Sequence, residues 1–421
     1  MRVPPLASLC VMLVIGIVAG NSTESPSFLL QHGVSLSTLS ASLVLLLLLA
    51  STLLRRYDRS STTLLFCAVF CLGVFLIKGE RHTYAVPFYD DIASYMENKR
   101  SDLVDSYRQC GLDGDEFSVV TAMTLGERQY ISHSLRNSYN ISGAAHVFAL
   151  SGMHLGIIFM LLTMLTPRRL VFGMGRTYRL MSFFLVLLQV VTLWTYVMLV
   201  GARPSIMRAA VMLTVYAVCR QLARRPDNLS VLFFTLFLML VVWPEWLFDV
   251  GFQMSFLAVG SIALLYKPLN AKLLAMLPFK WYRTPLRILS QTMLLSTCAQ
   301  IGVAPLIALY FHRFSTYFLL TNLPVPLLAT FVIYLSILTL VCAATPFTYL
   351  TTAVAWLLQH VAYLLNHYLA WIASLPYASV EGIYINKAQT IIIYVIMACA
   401  CMLVYHVYHG LRRRLGEVYS V

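Results

Sequence analysis

Long apolar runs and short polar links alternate from one end of the chain to the other. Runs at about 6–20, 36–54, 62–78, 145–166, 180–200, 204–222, 228–243, 250–266, 289–311, 317–342, 348–375 and 389–409 each approach the roughly 17–25 residues that a helix needs to cross a bilayer core. None has the two-residue alternation of a barrel strand, and lipid cannot satisfy exposed backbone groups, so the runs predict helices. The expected fold class is therefore all-α, a polytopic integral membrane helical bundle of about 10–12 spans. Gly201, Pro204, Pro305, Pro324 and Pro326 interrupt apolar runs. Some spans are thus expected to be broken or re-entrant, in places where protein or a watery cavity surrounds the backbone. The first run also resembles a signal peptide, but Pro4, Pro5 and the many later spans favour a retained helix.

The links sort by charge. Arg55, Arg56 and Arg59 follow the second run, Arg168, Arg169, Arg176 and Arg179 the fourth, Arg220, Arg224 and Arg225 the sixth, and Arg412, Arg413 and Arg414 the last. The links between them, such as 21–33 and 243–249, carry almost no Lys or Arg. Cytoplasmic loops hold the basic excess, so both termini are expected in the cytoplasm and the segment 79–142 outside. Within that segment Ile92, Met96, Leu103, Val104 and Tyr107 fall at helical spacing, which predicts an amphipathic helix lying on the membrane or on the protein. The acidic residues from Asp113 to Glu116 suit the start of a second helix. Three parts are expected: N-terminal transmembrane helices over 1–78, a short extracytoplasmic helical segment over 79–142, and a transmembrane core over 143–421.

Composition agrees, since 59% hydrophobic and 11% charged residues exclude a water-soluble domain of this size. A net charge of +13 could suit nucleic acid, but the basic residues at cytoplasmic helix ends account for most of it. The nine cysteines lack metal-ligand spacing, and no Walker, Rossmann, HExxH or Cys-x-x-Cys pattern occurs. No cofactor, no metal and no catalytic residue is expected, and the chain is not expected to be an enzyme.

Polar residues inside apolar runs are the candidates for a pathway through the membrane. In the stretch AAHVFALSGMHLGII, His146 and His154 lie eight residues apart, about 12 Å on a continuous helix and too far for one metal. Each could line a pathway or bond a carbonyl across a helix interface. Ser151 and His154 are spaced as a nucleophile and base would be, yet no third group orients them, and Ser151 equally serves close helix approach. Arg208 either snorkels to the outer interface or faces an aqueous path where its planar fork would meet a phosphate. Gln253, Ser255, Gln300 and Asn322 are either interhelical glue or pore lining.

That stretch resembles the core motif of the competence DNA-uptake channel (ComEC) family, through His146, Ala149, Ser151, Gly152, His154 and Gly156. The segment leading into it is similar to the family's, with Gly126, Arg128, Arg136 and Tyr139 at matching places. GARPSIMRAAVM, DVGFQMSFLAVGSIALL and CAQIGVAPLIALYFHRFSTYFLLTNLPVPLL resemble three further family motifs, in family order. The resemblance implies a multi-pass channel in the bacterial inner membrane that passes single-stranded DNA into the cytoplasm during natural transformation. Membrane lipids, a separate nuclease, a DNA receptor and a cytoplasmic ATP-driven translocase are the partners it implies; the oligomeric state stays open. The OB-fold and metallo-β-lactamase-like domains that often accompany the family are not expected, because 78–142 is too short and helical for the first and no HxHxDH-type pattern marks the second. The alternative function is a secondary transporter or lipid-linked-substrate carrier, which would also have broken helices.

Overall fold

The computed structural model describes residues 5–23, 36–53, 58–78, 87–148, 150, 152–164, 176–221, 227–276 and 284–401. Its first three helices are α1 (Pro5–Ser22), α2 (Leu36–Leu53) and α3 (Asp58–Lys78). Three shorter ones follow, α4 (Pro87–Gln109), α5 (Gly114–Thr124) and α6 (His133–Ser142). Then come α7 (Gly152–Met164), α8 (Arg176–Leu199), α9 (Pro204–Gln221), α10 (Asn228–Val242), α11 (Val250–Met276) and α12 (Thr284–Phe311). A strand β1 (Arg313–Ser315) leads to α13 (Phe318–Thr321), α14 (Val325–Ala343), α15 (Thr348–Ser374), a strand β2 (Ser379–Glu381) and α16 (Lys387–Cys401). The two strands pair antiparallel, Phe314 opposite Val380.

The chain is an all-α polytopic membrane protein. Among the described residues five stretches are long and apolar enough to cross a membrane: Ser60–Lys78, Leu180–Leu199, Val250–Leu274, Pro285–Phe311 and Phe318–Ala343. Six shorter apolar helices stand beside them. The expected breaks are only partly where proline and glycine placed them. Gly201, with φ 88, does end α8, and Pro204 starts α9. Pro305, by contrast, lies inside a continuous α12. A proline removes one helix hydrogen bond, here the one to the Ile301 carbonyl, without ending the helix; one residue on, the Tyr394 hydroxyl donates to the Gly302 carbonyl at 2.9 Å and ties α16 to α12. The run expected at 145–166 is not one helix, because a 3₁₀ turn at Ala145–Val147 precedes the start of α7 at Gly152. Thr348–Ser374, also expected to span, has the length but is not among the helices apolar enough to cross, for it carries Gln359, His360, Asn366 and His367.

Two buried clusters hold the bundle. One joins α1, α3 and α8–α11 through Leu13, Ile17, Val69, Leu193, Ile206 and Phe252. Within it α1 and α3 meet backbone to backbone: a Cβ on Gly73 would lie 2.5 Å from the Leu13 carbonyl oxygen, and one on Gly16 would strike the Phe70 carbonyl. Such contact needs residues without side chains. The other cluster joins α4–α6 to the α14–α15 hairpin.

This second cluster decides where the amphipathic helix goes. Val104 and Tyr107 of α4 are buried in protein, so α4 lies on the bundle, and the Tyr107 hydroxyl donates to the Ser336 carbonyl of α14. Residues 117–124 of α5 are all buried. Its hydroxyls survive there by bonding back one turn, Ser118 to Gly114, Thr121 to Phe117 and Thr124 to Val120. Asp113 precedes α5 in extended conformation, with Asp115 and Glu116 in the first turn, where the helix dipole favours them. Burial pushes the Tyr107 and Tyr139 phenols up from their ordinary range, so both act as donors.

Candidate functional site

The break between α6 and α7 is built from both sides. Ser132 caps α6 by accepting from the Leu135 amide, and Gly143 ends it with φ 83. Space as well as backbone demands glycine there, since a Cβ would lie 2.8 Å from that of Ser315. Beyond it the described residues 144–148 and 150 are not α-helical, and carbonyls there need other donors. Thr321 donates to the Ser142 carbonyl at 2.8 Å, the Nε of Arg128 to Phe148 at 2.8 Å, and Ser205 to Leu150 at 3.0 Å. The Nδ1 of His146 lies 3.2 Å from the Gly143 carbonyl, a contact that requires the Nδ1–H tautomer because a carbonyl only accepts. Residues far apart in sequence thus hold one irregular segment in place.

Arginines surround that segment. Arg203 donates to the Gly126 carbonyl at 3.2 Å, while Arg128 has the like charges of Arg203 and Arg136 near it. Burial first, and those charges second, lower Arg128 to about 10, so it remains a cation at neutral pH. Arg208, in the second turn of α9, packs against the start of α7: a Cβ on Gly152 would lie 2.9 Å from its Nη2. The side chain is 6% exposed and sits over the Phe256 ring at 5.8 Å. Its Nε has no hydrogen-bond partner, and none of Arg128, Arg136, Arg203 and Arg208 forms an ion pair among the described residues. A buried charge left unpaired is costly, so an anion at this place would be strongly favoured.

The expected pathway residues do not all gather here. His154 is buried on the first turn of α7, two residues from Gly152, whereas His146 is exposed on the 3₁₀ turn, so the two are not on one continuous helix. Ser151 lies outside the described residues. Gln253 belongs elsewhere: its Nε2 donates to the Leu247 carbonyl at 2.8 Å and its Oε1 accepts from Tyr310 at 3.4 Å, joining the turn Pro244–Phe248, α11 and α12. Ser255 and Gln300 are half-buried on α11 and α12, and Asn322 is half-buried where α13 ends. Arg128, Ser205 and Thr321 were not candidates from sequence; their role appears only once the carbonyls they meet are located. Among the described residues no group of three or more His, Cys, Asp and Glu could hold a metal.

Residues 123–407 match the family model described as Competence protein, which takes in both the broken helix and Arg208. The chain belongs to this family. It is 31% identical over 210 residues to the ComE operon protein 3 of Bacillus subtilis (strain 168), a match covering 50% of this chain and 24% of that protein. It is 29% identical over 247 residues to an uncharacterized protein of Aquifex aeolicus (strain VF5), covering 58% of this chain and 53% of that one. The chain therefore matches about a quarter and about half of these two relatives. No solved structure matches it.

Proposed function

We propose that this chain forms the channel through which one strand of incoming DNA crosses the bacterial inner membrane during natural transformation. Membership of the Competence protein family supports a role in DNA uptake. The observation that carries the channel reading is the buried guanidinium of Arg208 at a helix break, without an ion pair among the described residues. A polyanion crossing a membrane needs cationic groups at intervals, held where no carboxylate competes. Residues 143–421 form the channel core in this reading, 1–78 flank it, and 79–142 close its outer end. The pathway candidates are Arg208, His154 and His146 at the break, Ser151 beside His154 in sequence, and Gln253, Ser255, Gln300 and Asn322 further along. The strand is degraded and drawn inward by separate proteins, a nuclease and an ATP-driven translocase, after capture by a DNA receptor.

A deletion strain tests the reading. It should still bind DNA at the surface or in the periplasm but internalise almost none. Normal transformation would refute the proposal, and defective uptake of a small solute in its place would favour a secondary transporter.

The orientation follows from the basic links: both termini and residues 168–179 face the cytoplasm, and 79–142 face outward. Reporter fusions after Gln109 should score as extracytoplasmic. A cytoplasmic score there would reverse the channel and its entrance.

A further inference from the structure

Helix α15 buries one face, through Ala355, Leu358, Ala362, Leu365 and Leu369, and leaves the opposite face open. Along that open face run Trp356, His360, Tyr363, His367 and Trp371, spaced four, three, four and four residues apart. The spacing keeps them on a single stripe about 22 Å long, about three quarters of a hydrocarbon core roughly 30 Å thick. The rings are paired within the helix: Trp356 and His360 have centroids 4.0 Å apart, and Tyr363 and His367 5.7 Å with an interplanar angle of 15°. The three large rings are 60%, 56% and 49% exposed.

Lipid does not suit this face. Ionisable groups at membrane depth face a bundle interior or a watery cavity, and here two imidazoles stand exposed, His360 at the middle and His367 in the second half of a helix that is not among those apolar enough to cross. The helix carries no Asp or Glu, so nothing on it repels an anion. Flat rings at regular intervals with imidazole hydrogen-bonding groups between them form a surface complementary to bases on a phosphate chain, and the Asp113 carboxylate that reaches the helix is engaged by Gln359, from which it accepts at 3.0 Å.

We infer that the open face of α15 is a stacking ladder on which the bases of the single DNA strand lie as it passes. The inference rests on the channel reading above and adds to it the surface that takes the bases. Successive rings differ in level by about 4.5–6 Å. Bases along one strand of a duplex are spaced by about 3.4 Å, so a strand on the ladder is drawn out. Stacking tolerates every base, which suits a protein that must pass any sequence.

The test uses the full chain, purified in detergent, with two labelled probes: an oligothymidylate, and an abasic deoxyribose-phosphate chain of the same length. The wild-type protein should bind the oligothymidylate more tightly. A triple variant, Trp356→Leu, Tyr363→Leu and Trp371→Leu, should lose that preference, its affinity for the oligothymidylate falling roughly tenfold or more per ring engaged while abasic binding is unchanged. The corresponding triple substitution by Phe, which keeps flat rings, should retain most of the preference and so control for folding. An unaltered preference in the Leu variant would overturn the ladder, as would equal loss of both probes. Conversion of a dimer to a monomer with DNA binding intact would also overturn it, and would assign the face to a second copy of the chain. If the wild-type protein binds neither probe, the channel reading itself fails; if it binds both equally, only the ladder does.

Discussion

Arg208→Met should cut internalised DNA roughly 10- to 100-fold while leaving protein abundance normal or raised. The first effect is the loss of a charge-assisted contact with phosphate, worth about 1.5–3 kcal/mol in the crossing. The second follows from burial. Arg208 is 6% exposed and forms no ion pair among the described residues, so an unbranched apolar side chain of similar length removes a desolvated charge and fills the same space. Arg208→Lys should keep part of the activity, because the charge remains but the planar fork that grips a phosphate is gone. Quantifying internalised DNA beside immunoblotted protein separates these outcomes. A Met variant that transforms normally would leave Arg208 as packing for Gly152 and Phe256, outside the pathway.

Tyr139→Ala should destabilise the protein by about 3–5 kcal/mol and sharply lower its abundance. The ring is fully buried, stacked on Phe148 with centroids 4.1 Å apart, and its hydroxyl donates to Asn366 Oδ1 on α15 at 2.8 Å. Removing it opens a cavity beneath Phe148 and releases α6 from the hairpin. Tyr139→Phe should cost less, about 1–3 kcal/mol, since it leaves the packing and strands only the Asn366 carbonyl oxygen. Thermal unfolding in detergent would rank the two. If Tyr139→Ala melts like the wild type, α4–α6 are an appendage and not part of the bundle core.

Both predictions depend on contacts that no single run of sequence displays. The family motif from Ala144 to Ile158 reads along the chain as one apolar stretch containing two histidines. In the folded protein its described residues form a 3₁₀ turn over Ala145–Val147 and, from Gly152, a helix, with His146 exposed on the first and His154 buried on the second. Gly143 and Gly152 bracket that break, but a glycine in a sequence does not say whether it serves a left-handed turn, a close neighbour or flexibility. Ser315 and Arg208, distant along the chain, supply the reasons. The stripe on α15 was open to discovery by its spacing alone. The spacing could not say which face was buried, because an aromatic stripe serves a protein core as readily as a ligand.

The sequence by itself determined the solvent and the class of fold. Apolar runs of spanning length must become helices in lipid, basic links favour one side, and motifs in fixed order carry the family, all of which are properties of local composition and spacing. Tertiary structure alone decided that α4–α6 enter the core, that Pro305 does not break its helix, that Arg128, Ser205 and Thr321 satisfy the irregular backbone, and that Arg208 is buried without a carboxylate partner among the described residues. Those outcomes turn on which distant groups meet. A hydrogen bond or an unpaired charge is a relation between two places in space, and helical periodicity describes only one of them.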